Sequence, residues 1–437
     1  MKLNTKRTIL TGLAFLSICA FWQMYDNVVP IILTETFHLN ETWSGAIMAA
    51  DNLLALFLLP FFGTLSDKCR SPMGKRMPFI LFGTAAAAVL MNILPRIDNS
   101  YYAAPAQGKM LAFVATLGLL LIAMGTYRSP AVALMPDLTP KPLRSKANAI
   151  INLMGAIGGV LYLVLASILY SGKRVGGLEH VDYSLLFAVV SGIMILAVAV
   201  LKLTINENKM RVADQPEEKA EAAATQPDGR MAPEVKRSLG FLLCSICLWF
   251  VGYNAITTWF TTYASRVWDM ALGDSSLCLT VATVGAILSY IPVGNVASKV
   301  GRKKTISFGV VLLSSCFFMG FVFSKLLDGF SPILYVLFAM VGLAWASINV
   351  NSLPMVVEMC SGKDIGKFTG YYYTFSMSAQ SITPILAGWI MNNFGYQWLF
   401  PYAAFFVACA FFTMRMVRHG DAKVEAKKGL EAFDVEE

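Results

Sequence analysis

Two related polar loops decide the fold: GTLSDKCRSPMGKR at 63–76 and GNVASKVGRKK at 294–304. Each loop opens on a glycine, continues through a serine into charged residues, and ends in a second glycine followed by basic residues. Each also lies between two long apolar runs. A loop that recurs in the second half of the chain, in the same setting, indicates an internal repeat of a membrane protein.

Apolar runs of membrane-spanning length follow one another along nearly the whole chain. Of the 437 residues, 56% are hydrophobic and only 14% are charged, whereas a soluble domain carries about 25% charged residues. A membrane-spanning helix needs roughly 20 mostly apolar residues. We therefore predict an all-α membrane protein with twelve transmembrane helices. The predicted spans are Ile9–Leu33, Gly45–Phe62, Phe79–Leu94, Met110–Met135, Ala149–Tyr170, Leu185–Leu203, Leu239–Trp259, Leu277–Val296, Ile306–Phe323, Ile333–Asn349, Phe368–Met391 and Trp398–Val417.

The distribution of positive charge supports an even number of spans. With both termini cytoplasmic, the inside segments hold 28 of the 35 Lys and Arg residues and the outside loops hold six. This is the asymmetry that the positive-inside rule predicts. The net charge of +8 therefore follows from topology and gives no reason to expect a nucleic-acid partner. We expect a multi-pass protein of the cell membrane, with the lipid bilayer as its surroundings.

The spans divide six and six around one polar stretch. We predict a first six-helix half at 1–205, a flexible cytoplasmic linker at 206–236, a second half at 237–418 and a cytoplasmic tail at 419–437. The linker composition, rich in Glu, Lys, Ala and Gln, is typical of a solvated connection. The halves also match as weak repeats: FWQMYD at 21–26 corresponds to WFVGYN at 249–254.

The loop at 63–76 resembles the major facilitator signature G-x-x-x-D-[RK]-x-G-[RK]-[RK], with extra residues before the second glycine. The longer form is similar to the loop of sucrose:proton symporters and of glycoside–pentoside–hexuronide:cation symporters. Lys68, Lys75 and Met77 stand where those families have arginine. The resemblance implies the major facilitator fold, with two six-helix halves around a central cavity, and a loop that latches the gate. The alternative interpretation is an ordinary basic loop on the cytoplasmic side.

Six residues are predicted to act in gating. In the first loop they are Asp67, Lys75 and Arg76, because an aspartate there can cap a neighbouring helix or pair with a cation. Asp137 and Glu358 end the fourth and tenth spans at matching positions of the repeat. We expect them to be the partners of Arg76 and Arg302 in gating between the halves.

Three ionisable residues fall inside predicted spans: Asp26, Asp51 and Arg128. A charge at the centre of a span costs about 2.5–3.5 kcal/mol on insertion scales, so such residues face a cavity or a partner. We predict that Asp26 and Asp51 couple transport to a cation and that Arg128 contacts substrate. The alternative for each residue is a structural pair within the bundle. A direct pair between Asp26 and Arg128 is not expected, because they lie at different depths.

Polar and aromatic residues at helical spacing predict a sugar-binding site. Sugar rings present hydroxyl edges to amides and C–H faces to aromatic rings, and an amide inside a span needs a partner. For any single aromatic residue, packing is the alternative explanation. Besides Arg128, the predicted substrate-binding residues are Trp22, Gln23, Asn27, Asn152, Asn254, Thr258, Trp345, Asn349, Tyr373 and Gln380.

These features together predict a cation-coupled sugar symporter rather than an enzyme. The chain has no GxxxxGK[ST] nucleotide loop, and no cofactor or metal site is predicted. The expected partners are a sucrose- or maltose-like sugar and a proton or sodium ion. Two alternatives remain open: a proton-driven antiporter that exports drugs or metabolites, and a membrane sugar sensor that does not transport.

Overall fold

A computed structural model describes residues 3–140, 143–210, 232–326, 331–359 and 365–421. Within these ranges the chain forms twelve long helices, which we number α1 to α12. Their bounds are α1 Thr5–Ile31, α2 Glu41–Lys68, α3 Met77–Ala103, α4 Gln107–Leu138, α5 Arg144–Leu169, α6 Ser184–Thr204, α7 Pro233–Trp268, α8 Leu272–Val300, α9 Arg302–Leu326, α10 Ile333–Val357, α11 Ile365–Phe394 and α12 Leu399–Met416. The last turn of α1 continues as a π-helical turn, Ile32–Thr36.

Each helix corresponds to one predicted span and includes all of it except at most two residues at either end. Eleven of the helices in the described ranges are long and apolar enough to cross a membrane. The other is α11, in which Thr374, Ser376, Ser378, Gln380 and Ser381 interrupt the apolar residues. Helices extend past the predicted ends because hydropathy fades at the bilayer surface while the backbone hydrogen bonds continue. The third span, for example, was predicted to end at Leu94, but α3 continues to Ala103.

The two six-helix groups pack in the same way. In the first group α1 packs on α5 and α6, α3 packs on α4 and α6, and α2 packs on α4. In the second group α7 packs on α11 and α12, α9 packs on α10 and α12, and α8 packs on α10. The same pairing in the same chain order is what an internal repeat of six helices produces. The all-α, two-half architecture predicted from the loops is therefore confirmed.

The two faces of the bundle differ in what they carry. The start of α1, the end of α6 and the start of α7 lie on one face, which we call the linker face; the other is the opposite face. A short helix, Glu207–Met210, follows α6 on the linker face. Most of the predicted linker, residues 211–231, lies outside the described residues, and α7 begins at Pro233. Of the predicted tail, residues 422–437 also lie outside them.

Candidate functional site

Three neighbouring helices bring the predicted intramembrane charges together. Asp26 lies on α1 and Asp51 on α2, and the two carboxylates are close enough to interact electrostatically. Asp51 interacts in turn with Arg128 on α4 and accepts a 2.9 Å hydrogen bond from the side-chain amide of Asn52. Tyr25, which sequence reasoning missed, lies beside both carboxylates. The result is a charged cluster of two acids and one base deep in the first half.

Arg128 is held by an aromatic ring as well as by charge. Its guanidinium lies 5.7 Å from the centre of the Trp22 ring, within the range of a cation–π interaction. Trp22, Asp51 and Arg128 share a cavity of about 20 Å³ with apolar side chains of α2 and α4. A cavity of that size accommodates about one water molecule. The cluster therefore has room for a water that connects the carboxylate to the guanidinium.

Among the residues that the structure describes, several buried polar atoms on α1, which carries Asp26, and on α7 lack a hydrogen-bond partner. They are the indole nitrogen of Trp22, the hydroxyl of Tyr25 and the amide nitrogen of Asn254 on α7. Buried polar groups in native proteins are almost always paired. Donors left open on both halves of one bundle indicate a place where water or a polar ligand completes them.

An aromatic cluster on α7, α10 and α11 forms the wall that the second half contributes. The rings of Tyr253 and Trp345 stack face to face at 3.7 Å with an interplanar angle of 4°. Phe250 packs its edge against Trp345 at 5.3 Å, and Tyr372 packs against Tyr373 at 5.5 Å. Trp345 was predicted as an open platform, but Tyr253 covers one of its faces. A ligand therefore does not stack on that face, and the sequence analysis missed Tyr253 and Phe250.

The remaining predicted substrate residues fall into two environments. Gln23, Asn152, Asn349 and Gln380 are partly exposed within their helices, and their contact with substrate stays a prediction. Asn27 and Thr258 are buried. The carbonyl of Asn27 accepts a 2.9 Å hydrogen bond from Thr261 on α7, and its amide donates to the carbonyl of Gln23. Asn27 thus contributes to the contact between the halves.

On the linker face the predicted gating residues form two separate clusters. Arg76 binds Asp67 and donates to Asp137 over 3.0 Å, while Lys75 lies 3.1 Å from the same Asp137 carboxylate. In the second half Arg302 binds Glu358. Each cluster lies within its own half, so each arginine pairs with the acid that the repeat predicts. Their action in gating between the halves stays a prediction.

On the opposite face hydrogen bonds join the two halves. Ser265 on α7 donates to Glu35 over 2.6 Å, and Arg266 donates to the carbonyl of Thr34 over 3.1 Å. Tyr396 donates to Glu41, and the amide of Gly273 donates to the carbonyl of Tyr170 over 2.8 Å. These contacts involve three pairs of helices, α1–α7, α2–α11 and α5–α8. They close the bundle at this face.

A further acid within a helix of the bundle lies near the opposite face, and the sequence analysis did not identify it. Asp98 on α3 is fully buried, and its carboxylate is 3.8 Å from the ring nitrogen of His180. The His180 ring stacks on Tyr102 at 4.3 Å and contacts Asn99 at 2.8 Å. Burial lowers the pKa of His180, an effect that the nearby Asp182 partly offsets. The ring is therefore held neutral beside the carboxyl.

Comparison with known families assigns this architecture. The model of the Major Facilitator Superfamily matches residues 11–277 and 267–435, which together include most of the chain. This chain belongs to the major facilitator superfamily. It is a multi-pass membrane protein, as the helices indicate, and the resemblance drawn from residues 63–76 is confirmed.

Sequence relatives of this major facilitator protein include plant sucrose transport proteins. It is 31% identical over 139 residues to sucrose transport protein SUC3 of Arabidopsis thaliana, which is 29% of this chain and 23% of that protein. It is 32% identical over 148 residues to SUC4 of the same plant, which is 32% of this chain and 29% of that protein. The matches thus span less than a third of either relative.

Solved structures resemble this major facilitator protein over nearly its whole length. A bacterial homologue of the iron transporter ferroportin, in an inward-facing state, matches with a TM-score of 0.70 and 11% identity over 95% of this chain and 99% of that one. The inward-open xylose transporter XylE from E. coli matches with a TM-score of 0.66 and 15% identity over 97% of both chains. At these identities the likeness establishes the fold alone.

Proposed function

We propose that this protein is a secondary transporter that carries a sugar together with a proton by alternating access. The observation that carries the proposal is the cluster of Asp26, Asp51 and Arg128, in which two carboxylates interact with each other deep in the bundle. Two acids that interact at close range do not ionise together easily. The simplest way to accommodate two such carboxyl groups is for them to share one proton.

Proton binding at this cluster links the cation to the substrate. When a proton neutralises one of the two carboxylates, the charge of the pair falls from −2 to −1, so Arg128 loses part of its counter-charge and is free to donate to a ligand oxygen. When the proton leaves, the carboxylates compete again for the guanidinium and the ligand is released. Proton binding and ligand binding both act on the guanidinium of Arg128. A gradient of protons therefore drives the movement of the ligand. Sodium is the alternative cation for the same carboxylates.

A sugar fits the rest of the site. Donors on Trp22, Tyr25 and Asn254 that have no partner among the described residues suit the hydroxyl groups of a sugar ring, and the aromatic rings around Trp345 suit its C–H faces. The sucrose transport proteins among the sequence relatives agree with this substrate class. We infer a di- or oligosaccharide of the sucrose or maltose kind.

The closed opposite face sets the direction of access in this state. The segments predicted to be cytoplasmic hold 28 of the 35 Lys and Arg residues of the sequence. The described start of α1, end of α6 and start of α7 border such segments, so we place the linker face in the cytoplasm, with both termini, and the protein in the cell membrane. With the outer face closed by the Glu35 and Glu41 contacts, the site is reached from the cytoplasm. The other half of the cycle requires these contacts to open and the linker face to close.

A counterflow screen tests the proposal. Purified protein in liposomes is loaded with one unlabelled sugar at a time and offered the labelled sugar, at about pH 6 and about pH 7.5, with and without sodium. Exchange of a disaccharide, and uptake driven by an inward proton gradient, are expected. An antiporter is indicated if the same gradient expels the ligand, and a sensor if sugar binds without flux. Either result contradicts the proposal.

A further inference from the structure

Glu207, just after α6, closes the N-terminus of α3. Its side chain is 1% exposed. The carboxylate accepts hydrogen bonds from the backbone amides of Lys75 over 2.9 Å, Arg76 over 3.0 Å and Met77 over 3.1 Å. The first amides of a helix have no partner within the helix, and its dipole favours a negative charge at this end. Glu207 supplies both the acceptor oxygens for these amides and the negative charge.

The glycine before this helix turn is required by the contact. Gly74 has φ of +107°, a conformation that residues with a side chain rarely adopt. A Cβ atom at this position would also come within 2.1 Å of the Glu207 carboxylate. The second glycine of the loop therefore leaves the space in which Glu207 binds. Asn208 adds a further link, since its amide donates to the carbonyl of Pro72 over 2.9 Å.

The second half repeats the arrangement. Asp421, after α12, accepts a 3.1 Å hydrogen bond from the backbone amide of Lys303 in the first turn of α9. The glycine before that turn, Gly301, has φ of +106°, and a Cβ atom there would lie 3.1 Å from the Asp421 carboxylate. The same design therefore occurs twice: an acid after the sixth helix of a half caps the third helix, directly beside a left-handed glycine.

Each cap fixes the backbone at or next to a gating arginine. Glu207 binds the backbone of Arg76 itself, whose guanidinium reaches Asp67 and Asp137. Asp421 binds the residue after Arg302, whose guanidinium reaches Glu358. We propose that Glu207 and Asp421 are positioning residues of the gate. Through them, the segment that follows the sixth helix of each half becomes part of the latch of that half. This inference rests on the proposed transport cycle.

The first test compares Glu207→Ala with Glu234→Ala, because Glu234 is an exposed acid in the first turn of α7 on the same face. Sugar binding to purified protein should change less than about twofold, while turnover in liposomes should fall about tenfold, the effect of losing a buried charge-assisted hydrogen bond. Glu207→Gln, which keeps an acceptor oxygen, should lie between. Equal turnover in Glu207→Ala and Glu234→Ala would overturn the proposal.

A double variant separates positioning from general stability. If Glu207 acts through Arg76, then Glu207→Ala should lower turnover no further in an Arg76→Ala background, because contacts within one network are not additive. Independent, additive losses would overturn the proposal. Should Glu207→Ala fail to fold, the same cycle is run with Asp421→Ala and Arg302→Ala, since the Asp421 side chain is exposed.

Two truncations test the second cap without any substitution. A chain that ends at Arg418 lacks Asp421, and a chain that ends at Asp421 keeps it. Slow turnover in the shorter chain alone is expected, and equal turnover in the two chains is evidence against the cap.

A distance measurement separates this inference from the proposed function. Spin labels at Leu178 and Leu326, which are exposed on the opposite face in different halves, report how the halves sit without any sugar. Glu207→Ala should move the distance distribution in the direction that Arg76→Ala moves it. If no sugar is transported but this shift appears, the transport proposal fails and the positioning role stands; an unchanged distribution overturns the positioning role.

Discussion

Glu35, on the turn that ends α1, accepts a 2.6 Å hydrogen bond from Ser265 on α7 of the other half. Arg266, the next residue, lies 4.0 Å from the same carboxylate and donates to the neighbouring carbonyl of Thr34. Glu35 thus accepts one hydrogen bond and lies at ion-pair distance from a guanidinium across the junction of the halves. Glu41, which accepts from Tyr396, is a second acid at this junction, but Glu35 also has a guanidinium beside it, so we expect Glu35 to influence how firmly the opposite face closes.

Glu35→Ala should weaken that closure. Loss of a hydrogen bond to a charged group costs about 1.5–3 kcal/mol, or roughly tenfold or more in the closed fraction. Distances between spin labels at Leu178 and Leu326 measure the fraction directly. Glu179→Ala is the control, because Glu179 lies on the same face but contacts Tyr102 within its own half. A closed fraction that is the same in both variants would show that Glu35 does not hold the gate.

A second prediction concerns the close approach of α2 and α11. A Cβ atom on Gly45 would come within 2.1 Å of the carbonyl oxygen of Pro384, so Gly45→Ala should prevent the opposite face from closing fully. Overpacking costs about 1–3 kcal/mol, and we expect turnover to fall about tenfold. Gly118→Ala, which meets nothing within 4 Å, should transport normally. Normal turnover in Gly45→Ala would mean that transport does not need α2 and α11 to pack this closely.

The aromatic wall gives a third prediction. Trp345→Leu removes the platform that stacks on Tyr253, and the affinity for sugar should fall about two- to tenfold, the value of one aromatic contact. Trp345→Phe should lose less, because it keeps an aromatic face. Trp398→Leu, at a half-exposed position near the opposite face, is the control. Binding by isothermal calorimetry distinguishes them, and unchanged affinity in Trp345→Leu would remove this wall from the site.

A fourth prediction concerns acid stability on the opposite face. Burial lowers the pKa of His180 below its ordinary value of 6.5. An unfolded chain therefore takes up this proton at higher pH than the folded one, so the stability that neutral His180 contributes is present above pH 6.5. It is lost as the pH falls toward the folded pKa. On acidification from about pH 7.5 to about pH 5.5, the Tm of the parent protein should therefore fall relative to the Tm of His180→Gln.

The control for that measurement is His38→Asn. His38 is exposed at the end of the π-helical turn, with φ of 52°, and asparagine tolerates this left-handed backbone. Its drop in Tm should equal that of the parent protein. If His180→Gln loses as much Tm on acidification as the parent does, the ring is not the group that titrates.

The sequence predicted the helices and their division well, because both follow from local properties. Apolar length locates a span, and the loops at 63–76 and 294–304 repeat in the chain itself. The pairs of Arg76 with Asp137 and Arg302 with Glu358 were also expected, since each acid ends a span at the same position of the repeat. To predict such a pair, one needs only the depth of each residue in the membrane, and the rise of the helix per residue gives that depth.

The features that the sequence did not predict depend on how each helix is rotated about its axis and on where each helix ends. The stacking of Tyr253 on Trp345 joins two helices that are distant in the chain, and nothing local gives their relative rotation. Asp98 was missed because the third span was ended at Leu94 on hydropathy, although the helix continues. Glu207 was assigned to a flexible linker by composition, yet it is buried because α3 offers it three unpaired amides.

The most direct test of the central claim is gradient-driven sugar accumulation by the Asp26→Asn, Asp51→Asn double variant. Asparagine keeps the size of both side chains and removes the groups that bind a proton. We predict that an inward proton gradient no longer concentrates sugar in liposomes, while exchange of sugar at equal concentrations continues. Undiminished accumulation against a gradient would show that these carboxylates do not couple transport to the proton.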